Sequence, residues 1–296
     1  MVQKMKLGHT DMEVTQLGFG AMELRNLAQE GGRLSDEEQA GKVLNAVLDS
    51  GVNFVDTSWC YGRSEELIGR YISNRRDDYF VATKCGHYWR NDPQRQGYSR
   101  EGINNCINES LSRLKTDHVD ILQLHNAKPD EIRLQGSIDA LHELKSQGKI
   151  RYIGASTALP HVRELLEMGV FDTFQIPYSA LEPEHDQILG EIAEQGAGVI
   201  IRGGVAKGSP VAGSSTSRSF ARTKPRWDKA QLGALAPDID PMELILRFTL
   251  SHPAAHTVIV GTQNLEHLTA NIAAAAKGPL EPALVKEIRS RTTTLD

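Results

Sequence analysis

Several things are scarce or missing in this 296-residue sequence, and each absence narrows what the chain does. Cysteine occurs three times, as Cys60, Cys85 and Cys106. Three thiols build no disulfide framework, and their spacing is not that of a metal site, so a reducing, cytoplasmic setting is expected. No uncharged apolar run approaches the ~20 residues that a membrane span requires. The opening MVQKMKLGHT holds no apolar h-region, so no signal peptide is expected. Basic blocks are missing as well. Arg75-Arg76 and Lys224 to Arg226 are short, and the net charge is -5, which argues against a nucleic-acid partner. No histidine metal site is expected, and His142, His161 and His185 read as solvated helix or loop residues. Hydrophobic residues at 40% and charged residues at 24% give an ordinary globular composition, with no membrane partner implied.

What is present is a rhythm. Short apolar runs ending in small or polar residues alternate with longer amphipathic stretches. The runs are Thr15 to Gly20, Val52 to Asp56, YFVATK ending at Lys84, VDILQLH ending at His125, and IRYIGAS ending at Ser156. DTFQ ending at Gln175, GVIIRG around Arg202 and HTVIVGT ending at Thr262 complete eight. Helices are expected between them: one capped by Ser35 with Glu38 three residues on, one starting at Ser64, and others over 99–115, 131–147, 160–168, 184–195, 241–251 and 264–276. Alternating strand and helix implies parallel pairing with right-handed crossovers. Eight units close into a (β/α)8 barrel, and no GxGxxG follows the first strand to favour an open sheet. The expected architecture is one α/β barrel domain over residues 1–296. A hairpin at about residues 5–15 would plug its bottom, and long connections at 85–98 and 203–238 leave the C-terminal rim, where barrel enzymes keep their sites.

At the strand ends stand Asp56, Lys84, His125, Ser156 and Gln175, with Tyr61 five residues past Asp56. A barrel gathers these ends on one rim. A free phenol titrates near ~10 and is a poor acid at neutral pH. A neighbouring ammonium stabilises the phenolate, a carboxylate fixes the ammonium, and an imidazole orients a substrate oxygen. Taken singly, each of the four is better read as a surface ion pair or a satisfied polar core residue. Together they point to proton donation to an oxyanion as it forms. A Schiff-base lyase using Lys84 is the alternative chemistry, and a cofactor-binding sensor barrel with little turnover is the non-enzymatic one.

The text FVDTSWCYGRSEELIG, FVATK, VDILQLHN, YIGAS, FQIPYS and VIVGTQNLEHLTANIAAA resembles the aldo-keto reductase superfamily along nearly the whole chain. The resemblance implies reduction of an aldehyde or ketone by hydride from NADPH, with NADH possible. It implies Tyr61 as general acid, Lys84 and Asp56 as its tuning pair, and His125 as the orienting group. Ser156, Thr157 and Gln175 would meet the nicotinamide carboxamide, and Tyr178 would stack under the ring. Arg202, Gly203, Gly204 and Lys207 would lie along the phosphates. Gly261, Thr262, Gln263, His267 and Asn271 would hold the adenosine end.

This chain departs from the family pattern in three places. Thr157 stands where Asn is common, and Arg202-Gly203-Gly204-Val205 where Ser-Pro-Leu-Gly is common. Gly261 and His267 stand where well-studied members carry Lys and Arg for the 2′-phosphate of NADPH, which weakens the expected preference for NADPH over NADH. Met22, Trp59, His87 and Trp89 are candidates for the substrate wall. Cys60 and Cys85 read as small buried residues beside the pocket rather than redox groups.

Overall fold

A computed structural model describes residues 1–25, 36–86, 97–206 and 218–293. Eight parallel strands form a closed barrel in the order β10-β3-β4-β5-β6-β7-β8-β9. They are β3 (Leu17–Gly20), β4 (Phe54–Asp56), β5 (Phe80–Cys85), β6 (Val119–His125), β7 (Ile150–Ser156), β8 (Thr173–Pro177), β9 (Gly198–Arg202) and β10 (Thr257–Val260). Around them run α1 (Glu37–Asp49), α2 (Ser64–Tyr71), α3 (Arg100–Leu114), α4 (Pro129–Leu134), α5 (Ser137–Ser146), α6 (His161–Glu167), α7 (Asp186–Glu194), α10 (Pro241–Leu250) and α11 (Leu265–Ala276). Among the described residues no helix is long and apolar enough to cross a membrane.

Strand alternation divides each strand between two cores. Phe54, Ala82, Ile121 and Ile200 fill the inside of the barrel. Val55, Val81, Leu122 and Ile201 face outward into the layer beneath the helices. The hairpin of β1 (Lys4–Lys6) and β2 (Glu13–Thr15) closes the lower end as expected. Its Leu7, Met12 and Val14 are fully buried against the inner cluster, each burial worth ~1.5–3 kcal/mol. Arg151 pins the hairpin from outside by bridging Asp11 at 2.6 Å and the buried Asp120 at 2.6 Å. A floor sealed in this way leaves the opposite rim for chemistry.

The structure corrects several boundaries. Ser35 lies outside the described residues, and α1 is capped by Asp36, whose side chain accepts from the amides of Glu38 and Gln39. Thr15 belongs to the hairpin, because Asn53 Oδ1 takes its amide at 2.7 Å, so β3 starts only at Leu17. The single helix expected over 131–147 is two, α4 and α5, parted at Gly136 with φ 67°. The connection 203–238 holds α8 (Arg218–Ala230) and the short α9 (Leu232–Leu235). Polar composition and Pro225 hid α8, yet it buries Thr223, Trp227 and Ala230. A last helix, α12 (Pro282–Thr293), was not anticipated.

Candidate active site

Alternation continues above the inner apolar layer. Two residues beyond Phe54, Ala82, Ile121 and Ile200 come Asp56, Lys84, Gln123 and Arg202, so the next inward layer is polar and charged. Asp56 and Lys84 are nearly fully buried. Lys84 Nζ donates to Asp56 Oδ1 at 2.5 Å and to the Thr57 carbonyl at 2.8 Å. Asp56 Oδ2 accepts from Gln123 Nε2 at 2.9 Å and Gln175 Nε2 at 2.7 Å. Ser156 Oγ donates to Gln175 Oε1 at 3.0 Å. Both oxygens of the buried carboxylate are thus satisfied, which is the condition for keeping an ion pair out of water.

Tyr61 lies on the turn after β4, set by its amide bond to the Ser58 carbonyl at 2.9 Å. Lys84 Nζ sits 4.9 Å from the Tyr61 ring centroid, and the Tyr61 and His125 rings meet edge to face at 5.9 Å and 82°. The four residues expected to converge do so. The electrostatics differ from the expectation in one respect. Burial pushes the Tyr61 phenol above its ordinary value, and the opposing pull of Lys84 does not overcome it. Burial also works against the Lys84 ammonium, but its pKa lies above the usual lysine value, with the charge and hydrogen bond of Asp56 acting against the burial. Tyr61 therefore keeps its proton and Lys84 its charge at neutral pH.

His125 ends β6, and Tyr98 Oη anchors its carbonyl at 2.6 Å. Its Nδ1 faces Ser58 Oγ at 3.3 Å and Cys60 Sγ at 3.4 Å. Burial pushes the Cys60 thiol up, so it is no thiolate at neutral pH. Cys85 and Cys106 are buried and free.

Of the expected wall and cofactor residues, some reach the rim and some do not. Met22 is exposed there, 36% accessible. Trp59 turns away: its Nε1 donates to Glu109 Oε2 at 2.7 Å and its ring stacks near Arg113, both on α3. Tyr178 is 1% exposed, packs on Phe248 and His252, and donates its hydroxyl to Asp186. It stands in the outer layer and is not available to stack on a ligand in the mouth. Thr157 is buried with its hydroxyl donating to the Ala127 carbonyl at 3.4 Å. Thr262 Oγ1 accepts from the Asn264 amide at 3.0 Å, and Gln263 Nε2 donates to the Glu23 carbonyl. His267 is exposed on the first turn of α11, while Asn271 lies half-buried over Leu17, Phe19 and Val260. Lys207, His87 and Trp89 fall outside the described residues.

Arg202 ends β9 facing inward and is only partly exposed. Its guanidinium has no hydrogen bond or ion pair among the described residues, and burial lowers its pKa against the pull of Tyr61, Glu182 and Asp56. A half-desolvated cation of this kind, beside Gly203 and Gly204, fits an anionic ligand. The exposed start of α11, capped by Asn264, offers the positive end of a helix on the same rim. Among the described residues no cluster of three metal-ligating side chains exists. Polar groups, one cation and a helix start along β7 to β10 suit a phosphate-bearing cofactor better than a metal.

Residues 16–292 match the model of the aldo/keto reductase family. The chain belongs to that family. Among similar proteins, the oxidoreductase YqkF of Bacillus subtilis is 31% identical over 98% of this chain and 97% of its own length. The L-galactose dehydrogenase of Arabidopsis thaliana is 30% identical over 92% of this chain and 87% of its own. The NADH-specific methylglyoxal reductase of Escherichia coli is 32% identical over 61% of this chain and 60% of its own. Among solved structures, the holo form of the aldo-keto reductase AKR11C1 from Bacillus halodurans superposes with a TM-score of 0.86, at 28% identity, covering 98% of this chain and 96% of that one. Its apo form gives 0.79. The chain is therefore an oxidoreductase of the aldo/keto reductase family on a (β/α)8 barrel.

Gln123 and Ser58 belong to the site and were missed in the sequence. The signal for Gln123 was present. It alternates with Ile121 and His125 on β6, and a lone amide on the inward face of an apolar strand requires a partner.

Proposed function

We propose that this aldo/keto reductase family member is an NAD(P)H-dependent enzyme that reduces an aldehyde or ketone to the alcohol, reversibly, with Tyr61 as proton donor. The observation that supports this most is the buried Asp56–Lys84 pair beneath a protonated phenol, with an imidazole at the phenol's edge. When bound, reduced nicotinamide supplies hydride to the carbonyl carbon. Tyr61 Oη gives its proton to the substrate oxygen as negative charge grows there. Lys84 stabilises the phenolate left behind, and Asp56 holds Lys84 in place. His125 orients the substrate oxygen. Ser156 and Gln175 are assigned to the carboxamide, Arg202, Gly203, Gly204 and Lys207 to the phosphates, and Gly261, Gln263, His267 and Asn271 to the adenosine end.

NADPH is proposed as cofactor by family likeness, with NADH accepted because neither Gly261 nor His267 provides a permanent cation. A cytoplasmic setting rests on the free thiols. The Schiff-base alternative is disfavoured, since an ammonium held by Asp56 and the Thr57 carbonyl has no lone pair to attack a carbonyl.

The test is a panel of aldehydes, ketones and keto sugars, followed by loss of NADPH and NADH absorbance in parallel. Turnover is expected with at least one member. Tyr61→Phe should lose ~10²–10⁴-fold in rate with the fold intact. A fully active, folded Tyr61→Phe would end this assignment.

A further inference from the structure

Gln123 carries no role in the proposal so far, yet its placement is unusual. It lies directly across from Lys84 in the β5–β6 ladder and two residues before His125 on the same inward face. Its side chain is fully buried. The amide nitrogen reaches Asp56 Oδ2 at 2.9 Å, while the amide oxygen has no hydrogen-bond partner among the described residues. A carboxylate only accepts, so the nitrogen must face it, and the bond to Asp56 alone sets the amide's orientation. For packing alone, Leu or Met would serve better, because neither strands a buried carbonyl. The polar side chain is explained by what it does to Asp56.

We propose that Gln123 is a positioning residue that tunes the proton donor through Asp56 and Lys84, an inference that rests on Tyr61 being that donor. Asp56 divides its charge between two sides. Oδ1 takes the Lys84 ammonium, and Oδ2 takes the two amides of Gln123 and Gln175. Each amide draws part of the carboxylate's charge toward Oδ2. Lys84 is then less fully neutralised by Asp56 and keeps more of its field for a Tyr61 phenolate. With the Gln123 N–H gone, Asp56 would claim more of Lys84, the phenolate would gain less help, and the phenol would become a weaker acid.

The test compares the parent with Gln123→Met, of similar length and without a donor, and with Gln123→Leu. Two titrations are read: the alkaline limb of kcat/KM, and ionisation of the Tyr61 phenol by ultraviolet difference against Tyr61→Phe without substrate. Both should move up by ~0.5–1 pH unit, with kcat falling about tenfold and KM within about twofold. A merely structural amide would lower thermal stability and leave both titrations where they were. Unmoved or downward-moving titrations overturn the role. If the variants fail to fold, the unmodified enzyme decides: with selectively labelled glutamine, the Gln123 side-chain amide signals should titrate with the midpoint of the phenol, and an amide indifferent to that ionisation overturns the role as well. Tyr61→Phe in the same assay separates the two levels. If it retains full rate, the reading of the site fails; if it is inactive while Gln123→Met keeps the parental limb, only the role of Gln123 fails.

Discussion

Replacing Lys84 with methionine probes stability and chemistry at once. The Lys84 side chain is fully inaccessible and that of Asp56 is 3% accessible, so the substitution strands a buried carboxylate. Breaking a buried pair by removing one partner costs about 3–5 kcal/mol. Here Asp56 keeps the amides of Gln123 and Gln175 at 2.9 and 2.7 Å, which compensate part of the loss. The expected destabilisation is therefore at the low end, ~3 kcal/mol, or a fall in Tm of roughly 6 °C for a chain of this size. Removing the second charge as well, in Asp56→Asn/Lys84→Met, should recover stability to within about 1 kcal/mol of the parent, because no unpaired ion remains. Activity should not recover. The phenol, already held high by burial, loses its neighbouring cation, and the rate should fall ~10²–10⁴-fold in both variants. The pH dependence has a definite sign. The folded pKa of Lys84 lies above its ordinary value, so its contribution is fully present below ~10.4 and is lost as pH rises through the folded value. Parent and Lys84→Met should differ fully in urea unfolding at pH 7 and converge at strongly alkaline pH. A single variant as stable as the parent, or a double variant no better than the single, would refute the reasoning.

Other outcomes follow from the same geometry. Asp120→Asn takes a 2% exposed carboxylate from Arg76 at 2.7 Å, Arg151 at 2.6 Å and the Val81 amide at 2.9 Å, and should lower stability by about 2–4 kcal/mol in urea unfolding, with catalysis at the far rim unchanged. Burial pushes the His256 imidazole below its ordinary value, and its Nδ1 accepts the Val199 amide at 3.0 Å. Its contribution is therefore full above ~6.5 and is lost as pH falls toward the lower folded value, by at most ~1.4 kcal/mol per unit. His256→Asn, which keeps an acceptor, should flatten the acid side of the stability profile, and an unchanged slope would count against this. Gly261→Lys should destabilise rather than raise NADPH preference, because a Cβ there would stand 2.5 Å from the Gly20 carbonyl oxygen. His267→Arg, on the exposed first turn of α11, should raise the NADPH to NADH ratio of kcat/KM about tenfold, ~1.4 kcal/mol. No change in that ratio would place the adenosine end elsewhere.

The strands and the tetrad were legible because both depend on one-dimensional pattern. A strand of a buried parallel barrel reads as an apolar run, and a charged residue at the end of such a run has few places to go but the rim. That is why Asp56, Lys84 and His125 could be named. Tyr178 and Trp59 were misdirected for a different reason. Each lies just past a strand end, where the backbone is free to turn either way, and the direction is decided by partners far off in sequence: Phe248, His252 and Asp186 for the one, Glu109 and Arg113 for the other. The helix at 218–230 was hidden because a polar composition and an internal proline argue against helix locally, while the burial of Trp227 and Ala230 that supports it is tertiary. Gln123 stands in the middle of β6, where period two puts Ile121, Gln123 and His125 on one inward face, a pattern legible only along the whole strand and not at its end. The same count puts Ile200 inside, Ile201 outside and Arg202 back inside. On a barrel wall, period two assigns a side as far as the last paired residue, and that reach covers the buried carboxylate, its ammonium and the amide between them, but stops short of the loops that select a substrate.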